Sequence, residues 1–219
     1  MKFSQKEMKY GIICMALSYL VLPGLLGLLP LRAGQTNFIY YCINFAAVTV
    51  IFRKFLLREL SVALDRPFST IYYSILGYLG YEALTQLITM LILMVCPAFS
   101  NINDQNITQM FREDLRLMTI GVVLLVPVAE ECFFRGLIFR NLLDSRPVLA
   151  HLLSMAAFSL IHVAGYVGRG DAWQLLLCFV QYLPAGYCLC FVYRRSGTIL
   201  SPILVHAIVN ALGVYNTLR

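Results

Sequence analysis

The sequence predicts an all-α, polytopic membrane protein, a bundle of about seven transmembrane helices. Of its 219 residues, 60% are hydrophobic and only 13% are charged, whereas about 25% of the residues of a soluble domain are charged. So few charged side chains cannot cover a soluble protein of this size, and most of the surface is expected to face lipid or other helices. The apolar residues also form runs of the roughly 20 residues that cross a hydrocarbon core as a helix.

Seven apolar runs are predicted to span the membrane, and they form one membrane domain over residues 1–219. Three of them lie in residues 1–97, which carry no recognisable motif, and four lie in residues 117–218, which carry the polar residues discussed below. The connection 97–116 is expected to hold a short surface helix. The predicted spans are residues 10–29, 38–57, 71–95, 117–139, 148–167, 173–193 and 199–218.

The positions of Lys and Arg predict the orientation, because cytoplasmic loops carry an excess of these residues. They concentrate at the N-terminus and in the second, fourth and sixth connections, which a seven-span topology places on one side. We therefore expect a cytoplasmic N-terminus, and the short loops favour a prokaryotic plasma membrane. The net charge of +6 is assigned to these loops. The partners expected are lipid and a substrate rather than nucleic acid, because no basic patch with interleaved aromatics occurs.

Three charged residues lie inside the fourth predicted span, namely Glu130, Glu131 and Arg135. Each would cost about 2.5–3.5 kcal/mol at the centre of a bilayer, so they are expected to face the interior of the bundle. Glu131 and Arg135 are four residues apart and can pair on one helical face. Such an ion pair could also have a purely structural role, holding helices together. Glu130 is rotated by about 100° and suits a general base or acid. Pro127, one turn earlier, is expected to kink the helix and free a backbone carbonyl.

Two histidines lie within predicted spans, His162 in the fifth and His206 in the seventh. A lone histidine in a membrane helix is more often a hydrogen-bonding contact than a catalyst. Phe158 precedes His162 by four residues and is expected to pack beside it, and Asn210 shares a helical face with His206. At a rise of about 1.5 Å per residue, both histidines and Glu130 fall near the middle of the membrane, so they can share a pocket.

A further acid, Glu82, lies in the middle of the third predicted span. Tyr78, Glu82 and Gln86 follow one another at intervals of four and form a polar stripe that should face inward. We interpret Glu82 as a partner of Arg135 or as the lining of a water path. A catalytic role is less favoured because no second titratable group lies nearby in the sequence.

Three short motifs occur in order on successive predicted spans. Residues 130–135 (E-E-C-F-F-R) fit E-E-x-x-x-R, residues 158–162 (F-S-L-I-H) fit F-x-x-x-H, and residues 206–210 (H-A-I-V-N) fit H-x-x-x-N/D. Each motif is weak alone, but the set resembles the CPBP intramembrane protease family over residues 117–218. That family includes the type II CAAX prenyl endopeptidases and the bacterial Abi proteins.

The resemblance implies an endopeptidase with its site in a membrane cavity. At the matching positions, Glu130 would activate the attacking water, His162 would act as a base or ligand, and His206 with Asn210 would stabilise the oxyanion. The second glutamate and the arginine of the first motif would orient Glu130. The implied catalytic residues are Glu130, Glu131, Arg135, His162, His206 and Asn210.

Members of this family have been described both as metalloproteases and as metal-free glutamate proteases. If Zn2+ is bound, its ligands would be Glu130, His162 and His206, since one glutamate and two histidines form a known catalytic zinc set with an open fourth position. The H-E-x-x-H motif is absent. We favour the metal-free mechanism, because a second carboxyl and an arginine already supply a base and charge compensation.

Proteolysis has two competing interpretations. Polar residues near the midplane also suit a proton-coupled transporter, although the sequence has no internal repeat. A non-catalytic scaffold or a bacteriocin-immunity protein with the same fold is the other alternative, because a fold does not by itself imply activity. The substrate of a protease would be a peptide or protein. The candidate substrates are a lipidated C-a-a-X protein, a peptide undergoing maturation and another membrane protein.

Overall fold

The computed structural model describes residues 3–217, so Lys2 at the N-terminus and Leu218 at the end of the last predicted span lie outside the described residues. The described part of the chain is helical and contains no strand, which confirms the predicted all-α bundle. Its helices are α1 (Gln5–Leu26), α2 (Ala33–Ile51), α3 (Arg53–Asp65), α4 (Pro67–Val95), α5 (Ile102–Glu113), α6 (Leu115–Leu143), α7 (Pro147–Ala164), α8 (Ala172–Ser196) and α9 (Leu200–Thr217).

Among the described residues, six helices are long and apolar enough to cross a membrane: α1, α4, α6, α7, α8 and α9. A seventh span results if α2 and α3 are counted together, although they meet at an angle of 81°. The predicted limits 38–57 are wrong for this region, because the helix begins at Ala33 and breaks at Phe52. The 19 residues of α2 rise about 28 Å, close to the thickness of a hydrocarbon core.

The surface helix predicted within residues 97–116 is present as α5. Its first turn is capped by Asn101, whose Oδ1 accepts the backbone N–H groups of Asn103 at 2.9 Å and Asp104 at 3.3 Å. Such a cap satisfies donors that the first turn of a helix leaves without partners. The helix is amphipathic, and Phe111 is its buried anchor.

Helix α6 is irregular and lies at the centre of the bundle. It contains two π-helical stretches, Gly121–Leu125 and Cys132–Arg140, with a short α-helical stretch that includes Pro127 between them. Pro127 lies just after the first of these wider stretches, and the kink expected there stays a prediction. Phe133 and Phe134 are fully buried, so this part of α6 faces other helices rather than lipid.

Buried hydrogen bonds connect helix α3 to the turn between α8 and α9. The Glu59 carboxylate accepts the backbone N–H of Ile199 at 2.8 Å, and the Thr198 hydroxyl donates to the Glu59 carbonyl at 2.8 Å. Gly197 makes the turn with a positive φ of 77°, a conformation that glycine adopts without strain. Two segments rich in Arg and Lys therefore lie at the same end of the bundle.

Helices α7 and α8 approach each other closely at Gly186. A Cβ atom at this position would lie 2.8 Å from the Cα of Met155 and 3.1 Å from its carbonyl oxygen. Backbone atoms cannot move aside as the end of a flexible side chain can. A glycine is therefore required here for the two helices to pack, as small residues commonly are at membrane helix interfaces.

We expect Gly186→Ala to lower the free energy of unfolding by about 1–3 kcal/mol, the usual cost of overpacking. The matched control is Gly213→Ala in α9, where a Cβ atom would meet nothing within 4 Å. That control should be neutral or stabilising, because alanine favours a helix over glycine by about 1 kcal/mol. Denaturant titration of both variants in mixed micelles measures the difference. Equal stabilities would contradict the close-packing role.

Candidate active site

Glu131 is the centre of a buried cluster that joins α6 to α9. Its Oε1 accepts hydrogen bonds from Arg135 Nη1 at 3.1 Å and from His206 Nδ1 at 2.9 Å. The side chains of Glu131 and Arg135 are 0% exposed. The predicted pair of Glu131 and Arg135 is thus present, and His206 of α9 is its third member.

Arg135 extends this cluster to α7 and α8. Its Nη2 donates to the carbonyl of Gly186 at 3.1 Å, and its guanidinium lies 4.5 Å from the centre of the Phe158 ring. A guanidinium over an aromatic face is stabilised electrostatically, more strongly where water is absent. The buried side chain of Arg135 therefore connects α6 to α7 and α8 next to the site.

The contacts of Glu82 differ from the interpretation that it pairs with Arg135. Its Oε2 accepts a hydrogen bond from Gln86 Nε2 at 3.4 Å, on the same helix. Arg135 is instead satisfied by Glu131 and Gly186. The i, i+4 spacing explains the pairing on α4, because residues four apart share a helical face.

Glu130 lies beside the cluster without being bonded to it. Its Oε2 is 4.0 Å from His206 Nε2, and this buried oxygen has no hydrogen-bond partner. A cavity of about 20 Å³ adjoins the carboxyl, and a water molecule needs roughly 10–15 Å³. The space next to Glu130 is therefore large enough for one water. The cavity is lined by Tyr19, Tyr40, Tyr41, Asn44, Val126, Ala129, Glu130 and Phe133.

His162 of α7 reaches the cluster through an aromatic ring. The centre of the Phe158 ring lies 4.7 Å from that of His162 and 5.8 Å from that of His206. The predicted packing of Phe158 beside His162 is thus present. His162 Nδ1 lies 2.7 Å from the Phe158 carbonyl, which assigns a proton to Nδ1 and a lone pair to Nε2. The imidazole also stacks on the ring of Tyr182, with the ring centres 4.3 Å apart.

Asn210 lies near the site, but its amide binds the backbone. In the π-helical stretch of α6, the N–H of Val126 bonds to the carbonyl of Gly121, five residues earlier. The next bond in this pattern would run from the N–H of residue 127 to the carbonyl of Val122. Because residue 127 is a proline and has no N–H, the Val122 carbonyl is left without this donor. Asn210 Nδ2 donates to that carbonyl at 2.8 Å. The freed carbonyl predicted near Pro127 is thus satisfied from α9, and an oxyanion role for Asn210 stays a prediction.

We expect Asn210→Ala to lower the free energy of unfolding by about 1 kcal/mol, a typical value for an interhelical hydrogen bond in membranes. In a Pro127→Ala background the cost should be smaller, because the new N–H at position 127 competes for the Val122 carbonyl. A double-mutant cycle measures this coupling. Additive effects would show that Asn210 and Pro127 act independently, contrary to the hydrogen bond described above.

The zinc set predicted as one alternative is not assembled in the described structure. No three His, Cys, Asp or Glu side chains within residues 3–217 are placed to hold a metal ion. Glu130 Oε2 and His206 Nε2 are 4.0 Å apart. As arranged, Glu130, His162 and His206 do not fit a zinc ion.

Sequence reasoning missed the groups that support the predicted residues. Tyr182 stacks on the His162 ring, the Gly186 carbonyl accepts a hydrogen bond from Arg135, and Tyr19, Tyr40 and Tyr41 line the same cavity as Glu130. None belongs to a motif. For Gly186 the sequence did offer a signal, since a glycine within an apolar span often marks a close contact between helices.

Comparison with known proteins agrees with the motifs. Residues 112–212 match a family model described as type II CAAX prenyl endopeptidase Rce1-like, which confirms the predicted resemblance over that segment, and the segment includes every candidate catalytic residue. A protein of Lactococcus lactis subsp. lactis (strain IL1403), UPF0177 protein YxdF, is 30% identical over 94 residues. The aligned region covers 43% of this chain and 45% of that relative, so less than half of the relative is matched. No solved structure matches the chain.

Proposed function

Since residues 112–212 match the Rce1-like type II CAAX prenyl endopeptidases, we propose that the chain is an intramembrane endopeptidase in which Glu130 activates water. At the level of the family, the match supports an intramembrane protease. The observation that carries the residue assignment is the unpartnered Glu130 oxygen, 4.0 Å from His206 Nε2 and beside a cavity of about 20 Å³. A buried acceptor without a partner next to such a space is a place for water.

A single water molecule can bridge the two side chains. Hydrogen bonds of about 2.8 Å from one oxygen to Glu130 Oε2 and to His206 Nε2 span a gap of this size. Glu130 then accepts a proton from the water as it attacks the peptide carbonyl. Glu130 is suited to this step because neither Arg135 nor His206 forms a hydrogen bond with it.

Glu131 fixes the orientation of His206. It accepts the Nδ1 proton at 2.9 Å, so Nε2 points toward Glu130, as the carboxylate of a serine protease triad orients its imidazole. When Nε2 also carries a proton, it donates to the oxyanion that forms on the carbonyl oxygen. Arg135 compensates the charge of Glu131, which makes Glu131 and Arg135 positioning residues. His162 offers the lone pair on Nε2 as a second base.

The proposed substrate is a peptide or a membrane protein segment, with or without a lipid anchor. The proposed location is the plasma membrane of a prokaryote, with the N-terminus in the cytoplasm. This orientation is supported by the basic residues of α3 and of the α8–α9 turn, which lie at one end of the bundle.

The test is cleavage of a membrane peptide library by the purified protein in liposomes, with new termini identified by mass spectrometry. The wild type should generate products that Glu130→Gln does not. Glu82→Gln is the matched control, since Glu82 is also an acid within a span but pairs only with Gln86 among the contacts above. Identical products from wild type and Glu130→Gln would contradict the role of Glu130 as the base, and no products from either would favour a non-catalytic protein.

A chelation experiment addresses the metal. We expect the wild type to retain its cleavage rate after treatment with a strong chelator, and metal analysis to find less than one zinc per chain. The physical reason is that Glu130 and His206 supply the base and the donor themselves. Loss of activity that zinc restores would show that a metal ion completes the site.

A further inference from the structure

The cavity beside Glu130 has a second polar side chain in its wall, and this one comes from α2. Of the residues that line the cavity, Glu130 contributes a carboxyl and Asn44 an amide, whereas the others are apolar residues or tyrosines. Asn44 lies within α2 and is only 4% exposed. It belongs to residues 1–97, where the sequence shows no motif, so the N-terminal half of the chain also contributes to the wall of the site.

The Asn44 side chain has an acceptor that the protein does not satisfy. Its Nδ2 donates to the Tyr40 carbonyl at 2.9 Å, one turn earlier on the same helix. Because a carbonyl accepts only from the amide nitrogen, this contact fixes which end of the amide is Oδ1. Oδ1 is buried and has no hydrogen-bond partner within residues 3–217. Such an acceptor is unfavourable within an apolar helix, so its place at a cavity indicates a ligand that donates.

Glu130 brings a second acceptor of the same kind to this cavity. Its Oε2 is also buried, and no group in the described part of the chain donates to it. An ionised carboxylate and an amide oxygen cannot bond to each other, but a water molecule between them supplies two O–H donors. The cavity of about 20 Å³ has room for one water, which usually makes about three hydrogen bonds in a protein interior. Helices α2 and α6 therefore each supply an acceptor to one water site.

We propose that Asn44 is a further catalytic residue, whose Oδ1 accepts one O–H of the water that Glu130 activates. This inference rests on the proposed endopeptidase function. Glu130 accepts the other O–H, so both hydrogens of the water are held. The water oxygen keeps two lone pairs. One can accept from His206 Nε2 when that nitrogen is protonated, and the other can attack the peptide carbonyl.

The two O–H groups of the water have different fates in the reaction. As the water oxygen bonds to the carbonyl carbon, the O–H bond facing Glu130 breaks and its proton moves to the carboxylate. The C=O electron pair moves to the carbonyl oxygen. The O–H held by Asn44 stays intact and becomes the hydroxyl of the tetrahedral intermediate. When the C–N bond breaks, Glu130 returns its proton to the leaving amine. Asn44 thus contributes by orienting the nucleophile.

The water site is tested without a substrate, by solid-state NMR of the protein in liposomes. Asparagine labelled with 15N in its side chain reports magnetisation transferred from water, and the Asn44 signal is identified as the one that Asn44→Leu removes. We expect a water contact at Asn44 in the wild type and its loss in Glu130→Leu, which removes the other acceptor. A wild type without this contact would overturn the shared water. An equal contact in Glu130→Leu would overturn it as well.

The catalytic use of Asn44 is tested with a peptide that the wild type cleaves in the library experiment. Leucine has a similar volume but no acceptor, so Asn44→Leu should lower kcat by about tenfold, the effect on a rate of one neutral hydrogen bond. KM should be unchanged, because Asn44 contacts the water rather than the peptide. The matched control is Asn37→Leu, also in α2. Asn37 Nδ2 likewise donates one turn back, to the Ala33 carbonyl at 3.0 Å, but Asn37 does not line the cavity.

The role of Asn44 and the proposed function fail separately. Cleavage by the wild type with an unchanged kcat in Asn44→Leu would retain the enzyme and overturn the catalytic role of Asn44. An equal fall of kcat in Asn37→Leu would also overturn it, because the loss would then not depend on the cavity. A water contact at Asn44 without cleavage of any peptide would retain the shared water and overturn the endopeptidase, together with the catalytic roles of both residues.

Discussion

Arg135→Met is expected to lower the free energy of unfolding by about 3–5 kcal/mol, the usual effect of removing one partner of a buried ion pair. Methionine fills a similar volume, so little of the loss would come from a cavity. The main cause is that Glu131, 0% exposed, would keep its charge with only His206 to compensate it. The Gly186 carbonyl would also lose its donor. Denaturant titration in mixed micelles measures the loss.

The control for this experiment is the double variant Glu131→Leu/Arg135→Met. Replacing both members of a buried pair by apolar residues is often neutral or stabilising, so the double variant should recover much of the stability while remaining inactive. The two losses would then be strongly non-additive. Additive losses would instead show that the two side chains do not stabilise each other.

The sequence predicted the parts of the structure that depend on one helix at a time. The fold class followed from hydrophobic runs, and the pairing of Glu131 with Arg135 followed from their spacing, since residues four apart share a helical face. The limits of α2 were wrong because apolar residues resume after Arg53 and Lys54 and extend to Leu57, whereas the helix breaks at Phe52. Hydrophobicity places a span in the sequence but does not show where its helix bends.

Contacts between helices could not be predicted in the same way. The mid-membrane depth of His206 suggested a shared pocket, but nothing in its spacing showed that Nδ1 would bind Glu131 rather than Glu130. Likewise, Pro127 indicated a freed carbonyl, yet its satisfaction by Asn210 depends on how α9 packs on α6. The catalytic roles of these residues stay predictions, because an arrangement of side chains does not measure a rate.

The same substitution at the two adjacent glutamates should reduce cleavage in both cases but change the stability differently. Glu130→Gln is expected to reduce cleavage by at least about 10²–10⁴-fold, the usual contribution of a general base. Its stability should be unchanged or higher, because the variant removes a negative charge from a buried oxygen that has no hydrogen-bond partner. Glu131→Gln should also reduce cleavage, since it no longer holds His206, but it should destabilise the fold.

The reason for the difference is the number of charged partners. Glu131 compensates Arg135 and His206, so its neutral replacement leaves a buried guanidinium without a counter-charge, at a cost of about 3 kcal/mol or more. Glu130 has no such partner within hydrogen-bonding distance, its nearest being His206 at 4.0 Å. Cleavage rates and unfolding curves of both variants, measured on the same preparations, separate the two roles. Equal loss of stability in both would mean that Glu130 is a structural acid, and the assignment of the attacking base would then move away from it.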